Sequence, residues 1–373
     1  MKKKVALVVS SPATFRSFYK NHIKKLQESY EVTLIANFNQ ADTIIEGVKQ
    51  ISIDLERKPS VFNDLKSLKQ MIKIFREEKF ILVHSTTPKA GFITQIAGLI
   101  ARVDFRLHTF TGQVWASKSG IKRKALKKID VVIASLATHL LADSQSQVDF
   151  LNNESIPNSS KIRVLGSGSI SGVNLERFTP KNTNTLKQQL GLKGKDFVFL
   201  FIGRINRDKG ILDLIKSFEI IQNKKSNTAL LIVGPDDEGL LSFIKNHPLY
   251  EKDIFYHPPT PCPEDFMSMA DILCLPSYRE GFGTVVIEAA ACGTPSIGSN
   301  IYGLSDAIVD KRSGYLVDVG NVSDLASKMI YSIEHPRELQ QVSEYGLKRV
   351  REEFSDELSS RLLVNYYKSI IGE

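Results

Sequence analysis

The stretch Pro276–Ser299, PSYREGFGTVVIEAAACGTPSIGS, follows directly on the apolar run of DILCLPS and decides how the rest of the chain reads. Pro276 ends a buried strand, Gly281 and Gly283 let the backbone turn tightly and come close to a ligand, and Thr284 is placed to cap a helix running to Cys292. A further apolar strand, TPSIGS, comes next. Strand, glycine loop, helix and strand make one βαβ unit, whose two strands run parallel. Glu280 and Glu288, with seven residues between them, lie on this loop and helix, so the unit carries chemistry as well as structure.

The same alternation extends through the chain. In the second half DFVFLFIG, ALLIVG, DIFYHP and GYLVDV read as strands, with helices predicted at Ile211–Asn223, Gly239–Lys245, Pro263–Ala270 and Val322–Glu334. In the first half KVALVV, EVTLIA, FILVHS, FRLHTF, VVIAS, HLLADS and IRVLGS read as strands, and Ser17–Ser29 and Val61–Glu78 repeat apolar residues at helical steps. Near-continuous apolar strands separated by helices imply parallel sheets covered on both faces. The polar stretch Phe178–Lys195 marks a crossing, giving Rossmann-like domains over 1–178 and 179–355. A last helix, Asp356–Ile371 within the segment 356–373, follows Ser355 as its cap and is expected to pack back on the first domain. The fold class is α/β: two doubly wound domains turning the carboxyl ends of their strands to a deep interdomain cleft.

Composition narrows the function. The 373 residues are 42% hydrophobic and 24% charged, as in ordinary globular proteins, and no apolar run approaches the roughly 18 residues of a membrane span. The opening MKKKVALVV has a basic head, but its apolar run is too short for a signal peptide. Three scattered cysteines, Cys262, Cys274 and Cys292, fit a reducing, cytoplasmic setting and no metal cluster. Charge is uneven: residues 1–178 hold 27 Lys and Arg against 15 Asp and Glu, residues 179–373 hold 22 against 26. The first half therefore faces an anionic partner.

In FLFIGRINRDKGILDLIKSF the chain leaves a strand at Gly203, and Arg204 and Lys209 follow on the loop and first turn of a helix. Cations beside free helical N–H groups suit a phosphate, although solvated surface cations would read the same way in isolation. The glycines at 281 and 283 and the two acids favour the clamp. Glu288, one turn into its helix, can accept from vicinal hydroxyls, with Val285 and Ala289 toward the sheet; Glu280 can accept from a sugar hydroxyl while the amides of Phe282 and Gly283 meet phosphate oxygens. No Asp-x-Asp occurs, so no metal is expected to anchor a diphosphate, and Asp236 and Asp237 read as turn formers.

Taken together, GRINRDKG, EGFGTVVIEAAACGTP and GLSDAIVDKRSGYLV resemble the donor-binding domain of the retaining glycosyltransferases of family 4, which have the GT-B fold. Glu280 and Glu288 match the ends of that family's E-x7-E motif, Arg204 and Lys209 its basic pair. The resemblance implies that Glu288 binds ribose, Glu280 the donor sugar, and Arg204 and Lys209 the diphosphate. It adds Gly203, Gly234, Gly281, Phe282, Gly283 and Thr284 as donor contacts, with a base slot near Tyr256–Pro259. His108, after a strand in RLHTFTGQVWAS, corresponds to a histidine that positions donor sugar in some members; a histidine satisfied in the core is the competing reading. Thr14, His84, Lys89, Thr111, Gly112 and Gln113 are acceptor-side candidates, His84 and Lys89 for a phosphate.

The run WASKSGIKRKALKKID holds Lys118, Lys122, Arg123, Lys124, Lys127 and Lys128 with apolar residues interleaved. Each such cation near an anionic membrane contributes on the order of 1 kcal/mol, enough for reversible docking; no stacking platform accompanies them, which speaks against nucleic acid. The resemblance implies an enzyme moving a sugar, an N-acetylhexosamine by choice, from UDP to a polyprenyl-diphosphate-linked saccharide in O-antigen or capsule assembly. It would act without a metal or other cofactor, peripherally on the inner face of the cell membrane. The alternatives are a UDP-sugar 2-epimerase of the same fold and a nucleotide-dependent oxidoreductase, the latter lacking any strand–GxGxxG–helix.

Overall fold

The computed structural model describes all residues except 1, 39–46, 56–59, 193, 223 and 225–226. The chain forms two compact units, Met1–Ser171 with Asp356–Glu373, and Gly172–Ser355. The division falls between Ser171 and Gly172, ahead of the 178/179 position chosen from polarity. Val173 pairs with Ser355 and donates to the Phe354 carbonyl, and Phe178 is buried in the second core, which ties this segment to the second unit.

In the first unit, seven strands form a parallel sheet: β1 Lys4–Val8, β2 Glu31–Ala36, β3 Lys49–Ser52, β4 Leu82–Ser85, β5 Phe105–Phe110, β6 His139–Ala142 and β7 Arg163–Val164, in the order β3-β2-β1-β4-β5-β6-β7. The second holds β8 Phe197–Ile202, β9 Thr228–Val233, β10 Ile254–His257, β11 Ile272–Leu275, β12 Ser296–Ser299 and β13 Gly314–Val317, in the order β10-β9-β8-β11-β12-β13. The central strands are apolar on both faces: β9 is buried throughout and pairs residue for residue with β8, from Phe197 opposite Thr228 to Ile202 opposite Val233. The strand order reverses between β1 and β4 and between β8 and β11. At such switch points the loops leave toward opposite faces and open a crevice at the strands' carboxyl ends.

Two elements differ in kind from those read in the sequence, and a third reaches past the described residues. VVIAS is not a strand; it closes the helix Gly120–Leu136, which buries Asp130, Ile133 and Ala134 along one face. A β-branched run this short fits either element, and here the helical step to the preceding turn decides. The helix read at Ser17–Ser29 is a π-helical turn, Phe15–Tyr19, followed by the α-helix Lys20–Ser29. Asn223, at the end of the helix read from Ile211, lies outside the described residues, while Ile211–Gln222 is helical. The helix Asp356–Ile371 belongs to the first unit, where its Tyr367 hydroxyl meets His84 Nδ1 at 2.8 Å.

Candidate active site

In the second unit the loops after β8 and β11 meet at the switch point and are joined through the main chain. The Tyr278 amide donates to the Asp208 carbonyl at 2.8 Å, and the Tyr278 hydroxyl donates to Asp213 at 2.7 Å. Lys209 does not open the helix, as the sequence reading had it. It ends a 3-10 turn, Arg207–Lys209, capped by the Asn206 side chain, which accepts from the Lys209 amide at 3.0 Å. Gly210 then takes φ 71°, where an added Cβ would lie 2.0 Å from the Pro276 carbonyl oxygen. Only glycine allows this approach, and it brings Lys209 against the end of β11.

There the Lys209 ammonium donates to Glu280 Oε1, which also accepts from the Ser277 hydroxyl at 2.8 Å. The Glu280 side chain is 11% exposed and that of Lys209 20%, so charge and counter-charge are held largely out of water. Arg204 is more open, with 56% of its side chain exposed, and donates to Asp237 at 3.0 Å. Asp236 accepts from the amides of Glu238, Leu240 and Leu241, and those N–H bonds hold its carboxyl below the usual range, in keeping with a turn former.

The helix Thr284–Ala291 is capped by Gly283 at φ 83°, not by Thr284, which is its first residue. Its buried face is Val286, Ile287 and Ala289–Ala291, one step on from the Val285 and Ala289 face read in the sequence. Phe282 is core: its ring packs on Phe354 at 5.4 Å, so only its backbone is available to a ligand. Glu288 sits in a different environment from Glu280. It is half-buried with no ion pair among the described residues; desolvation raises its carboxyl to about 7, Arg177 opposing and Glu264 adding to the shift. Gly203 (φ 151°) has open space where a Cβ would stand, whereas one on Gly234 (φ 141°) would lie 1.9 Å from the Gly203 carbonyl oxygen. Gly203 faces room for a ligand; Gly234 serves backbone packing, and its carbonyl accepts from the Tyr256 hydroxyl at 3.2 Å.

In the first unit both candidate histidines are buried in the core, the competing reading given for His108. His108 lies within β5, is buried, and bonds Ser85 Oγ through Nδ1 at 2.9 Å; desolvation lowers it to about 3. His84 is buried with both ring nitrogens engaged, by the Tyr367 hydroxyl and by Thr109 Oγ1 at 2.7 Å. Burial disfavours its charged form, and with both nitrogens already engaged neither is free for a phosphate. Both are core histidines on adjacent strands, His108 against Gly91 of the helix Pro88–Ile100 and His84 against Tyr367. Lys89 pairs with Asp64 at 2.6 Å. Thr14 and Thr111 are half-exposed, Gly112 has φ 100°, and Gln113 is buried, accepting from Gln147 at 3.2 Å. At this unit's own switch point the Ser10 and Thr87 hydroxyls meet at 2.8 Å.

Two family models divide the chain between them: "Glycosyl transferase 4-like" over residues 4–135 and "Glycosyl transferases group 1" over 182–349. The capsular polysaccharide biosynthesis glycosyltransferase CapM of Staphylococcus aureus is 32% identical over 86% of this chain and 85% of its own length. This chain belongs to the group 1 glycosyltransferases. Another relative, the Escherichia coli UDP-Gal:alpha-D-GlcNAc-diphosphoundecaprenol alpha-1,3-galactosyltransferase, is 26% identical over 81% of this chain and 80% of its own. Among solved structures, sucrose-phosphate synthase from Thermosynechococcus elongatus superposes with a TM-score of 0.83 at 20% identity, each chain covered fully. Anabaena HepE in complex with UDP-glucose gives 0.81 at 18% identity over 98% of this chain and 99% of that one. The GT-B fold and the resemblance to family 4 read from the motifs stand.

Several residues of the candidate site carry no clear signal in the sequence. Asn206, Gly210 and Ser277 position Lys209 and Glu280, and Asp237 holds Arg204. Gly210 alone carried a local signal, a glycine directly before a helix. The basic run is also not uniform. Arg123 and Lys127 lie over the buried Trp115 ring at 5.1 and 5.6 Å and both pair with Glu154, at 2.6 and 2.8 Å, so they are structural rather than part of an outer face. Lys122, Lys124 and Lys128 are exposed beside Ile121, which is 87% exposed, and Lys118 is half-buried. No helix among the described residues is long and apolar enough to cross a membrane.

Proposed function

We propose that this glycosyltransferase is a retaining family 4 enzyme. It transfers a sugar, an N-acetylhexosamine, from a UDP donor to a polyprenyl-diphosphate-linked saccharide in capsule or O-antigen assembly. It works at the inner face of the cell membrane and needs no metal. The observation that carries this reading is the Lys209–Glu280–Ser277 cluster at the switch point, beside the open backbone of Gly203 and the guanidinium of Arg204. Cations and free N–H groups at this point stabilise charge as a diphosphate leaves, the role a metal fills in other transferases. Glu280 then accepts from a donor-sugar hydroxyl, and Glu288 from the ribose. The CapM and galactosyltransferase relatives support the pathway and the lipid-linked acceptor, and the UDP-glucose complex of HepE supports the donor class.

In the proposed reaction the acceptor hydroxyl attacks the anomeric carbon from the side on which UDP departs. The bond from that carbon to the diphosphate oxygen breaks, the new glycosidic bond forms, and the acceptor proton passes to a departing phosphate oxygen. No protein nucleophile takes part. The epimerase alternative needs titratable groups in the first unit, and the engaged, neutral His84 and His108 do not supply them.

Calorimetric titration with UDP, GDP, ADP and TDP, with and without magnesium, tests the donor assignment. Selective, magnesium-independent binding of UDP is the expected result; selectivity for GDP, or dependence on magnesium, overturns it. Radiolabel transfer from UDP-N-acetylglucosamine to a short-chain polyprenyl-diphosphate saccharide then tests the acceptor.

A further inference from the structure

The second unit carries another cavity, of about 750 Å³, bounded by the turn before β13 and by the helices Val322–Glu334 and Pro336–Glu353. It opens beside the amino end of an edge strand, whereas the Lys209–Glu280 cluster lies beyond the carboxyl ends of β8 and β11. In a parallel sheet these are opposite ends, so the cavity is separate from the donor site.

Three cations line it: Lys311, Arg312 and Lys328. Lys311 and Arg312 are exposed and Lys328 is half-buried, none of them is in an ion pair among the described residues, and two are seated on tyrosine rings. The Arg312 guanidinium lies over the Tyr345 ring at 4.2 Å, and the Lys328 ammonium lies near the Tyr331 and Tyr315 rings at 5.6 and 5.9 Å. Lys311 stands at φ 60°, a conformation costly for a side chain, and its amide donates to the Gly314 carbonyl at 2.8 Å. The lining carboxylate, Glu338, already accepts from the Tyr331 hydroxyl. A second, independent observation is Tyr315. It is 2% exposed, it lines the cavity, and its hydroxyl is buried with no hydrogen-bond partner. A buried hydroxyl without a partner is destabilising, and a ligand oxygen accepting from it would remove that cost.

We propose that this cavity is a binding site for an anionic saccharide, one bearing a carboxylate or a phosphate. Three cations against one carboxylate favour an anion, and tyrosine rings with a free hydroxyl suit a sugar's mixed apolar and hydroxyl surface. The volume matches a ligand of two or so sugar rings rather than a single inorganic ion. The site stands independently of the donor assignment, so each can fail alone.

Titration of the full chain with cellobiouronic acid, cellobiose and inorganic phosphate tests the proposal. Cellobiouronic acid should bind at least about tenfold more tightly than either of the others, and more weakly as salt is raised. Arg312→Gln and Lys328→Met should each lower that affinity about tenfold, and Tyr315→Phe several-fold, with UDP titration unchanged in all three. Equal affinity for cellobiose, or binding that the variants leave intact, overturns the proposal. Phosphate binding as tightly as the uronic acid overturns the assignment to a saccharide. So does cation-dependent binding to phosphatidylglycerol vesicles with no binding of the soluble sugar.

Discussion

The Lys209 ammonium and the Glu280 carboxylate are bonded to each other across the two loops of the second unit's switch point, with the Ser277 hydroxyl on the same carboxylate oxygen. The pair fixes Glu280 in place and, in the proposed reaction, keeps a cation where negative charge develops. Lys209→Ala should therefore lower kcat/KM by on the order of 10²-fold, as loss of one preorganised electrostatic contact does. It should also destabilise the fold by roughly 1–3 kcal/mol, because Glu280 stays buried with a weaker partner. Glu280→Gln keeps the shape and a hydrogen bond, so it should lose activity with a smaller fall in Tm. Undiminished UDP affinity in Lys209→Ala, measured by calorimetry, would remove the lysine from the donor site.

Two glycines in this region should separate ligand approach from packing. At Gly203 an alanine methyl enters open space, at the cost of an unfavourable φ; at Gly234 it strikes the Gly203 carbonyl. Gly203→Ala is expected to fold with a Tm lowered by a few degrees, about 1 kcal/mol, yet to lose most UDP binding. Gly234→Ala should fail to accumulate as folded protein. If Gly203→Ala binds UDP as the parent does, the backbone there is not a ligand contact.

The second half was more legible than the first, and for a physical reason. Its candidate site is made by backbone turns and charges placed at strand ends, so Gly203, Arg204, Lys209, Glu280 and Glu288 announce themselves by spacing. Partners far apart in sequence do not: nothing near Lys209 points to Ser277, and nothing near Arg204 points to Asp237. The histidines stay undecided in the sequence because a histidine near a strand end looks the same whether it faces solvent or core. His108 points at the helix Pro88–Ile100, and His84 at Tyr367 on the C-terminal helix, contacts fixed only by the fold. Trp115 is the counterpart among the cations: its ring under Arg123 and Lys127 turns part of a basic run into packing.

The core placement of His108 has a sharp steric test. An alanine methyl at Gly91 would come within 2.5 Å of His108 Cε1 and 2.7 Å of Nδ1. Gly91→Ala should cost about 1–3 kcal/mol by overpacking, and the double variant with His108→Ala should recover part of it, a coupling readable in thermal unfolding. Strict additivity of the two would contradict the contact. His108, lowered to about 3, also contributes to pH dependence. Its neutral form is the one that fits, so its contribution is complete above the ordinary histidine value of 6.5 and is lost as pH falls toward 3.

Glu288 acts in the opposite direction. Burial raises it from the ordinary 4.5 to about 7, so the fold favours the neutral acid. That contribution is complete below 4.5 and is lost as pH rises through 7. The Tm of Glu288→Gln relative to the parent should therefore increase between pH 5 and pH 8. Ribose hydroxyls donating to the carboxylate favour its ionised form, so UDP affinity should rise more across the same interval in the parent than in the variant, where only the ligand's own phosphate ionisation acts. A Tm difference independent of pH would mean that Glu288 is ionised throughout.

On the helix Gly120–Leu136 the cations divide into two kinds, and their substitutions should too. Lys122, Lys124 and Lys128 project into solvent beside the exposed Ile121, with no ion pair among the described residues. Replacing all three with glutamine removes about 1 kcal/mol each near an anionic surface, so binding to phosphatidylglycerol vesicles should fall about 10²-fold with Tm unchanged. Arg123→Gln and Lys127→Gln instead remove the contacts to Glu154 and the Trp115 ring, and should lower Tm while leaving vesicle binding nearly intact. Co-sedimentation and thermal unfolding on the two sets of variants read both effects. Vesicle binding that survives the triple substitution would place any membrane-facing surface elsewhere on the chain.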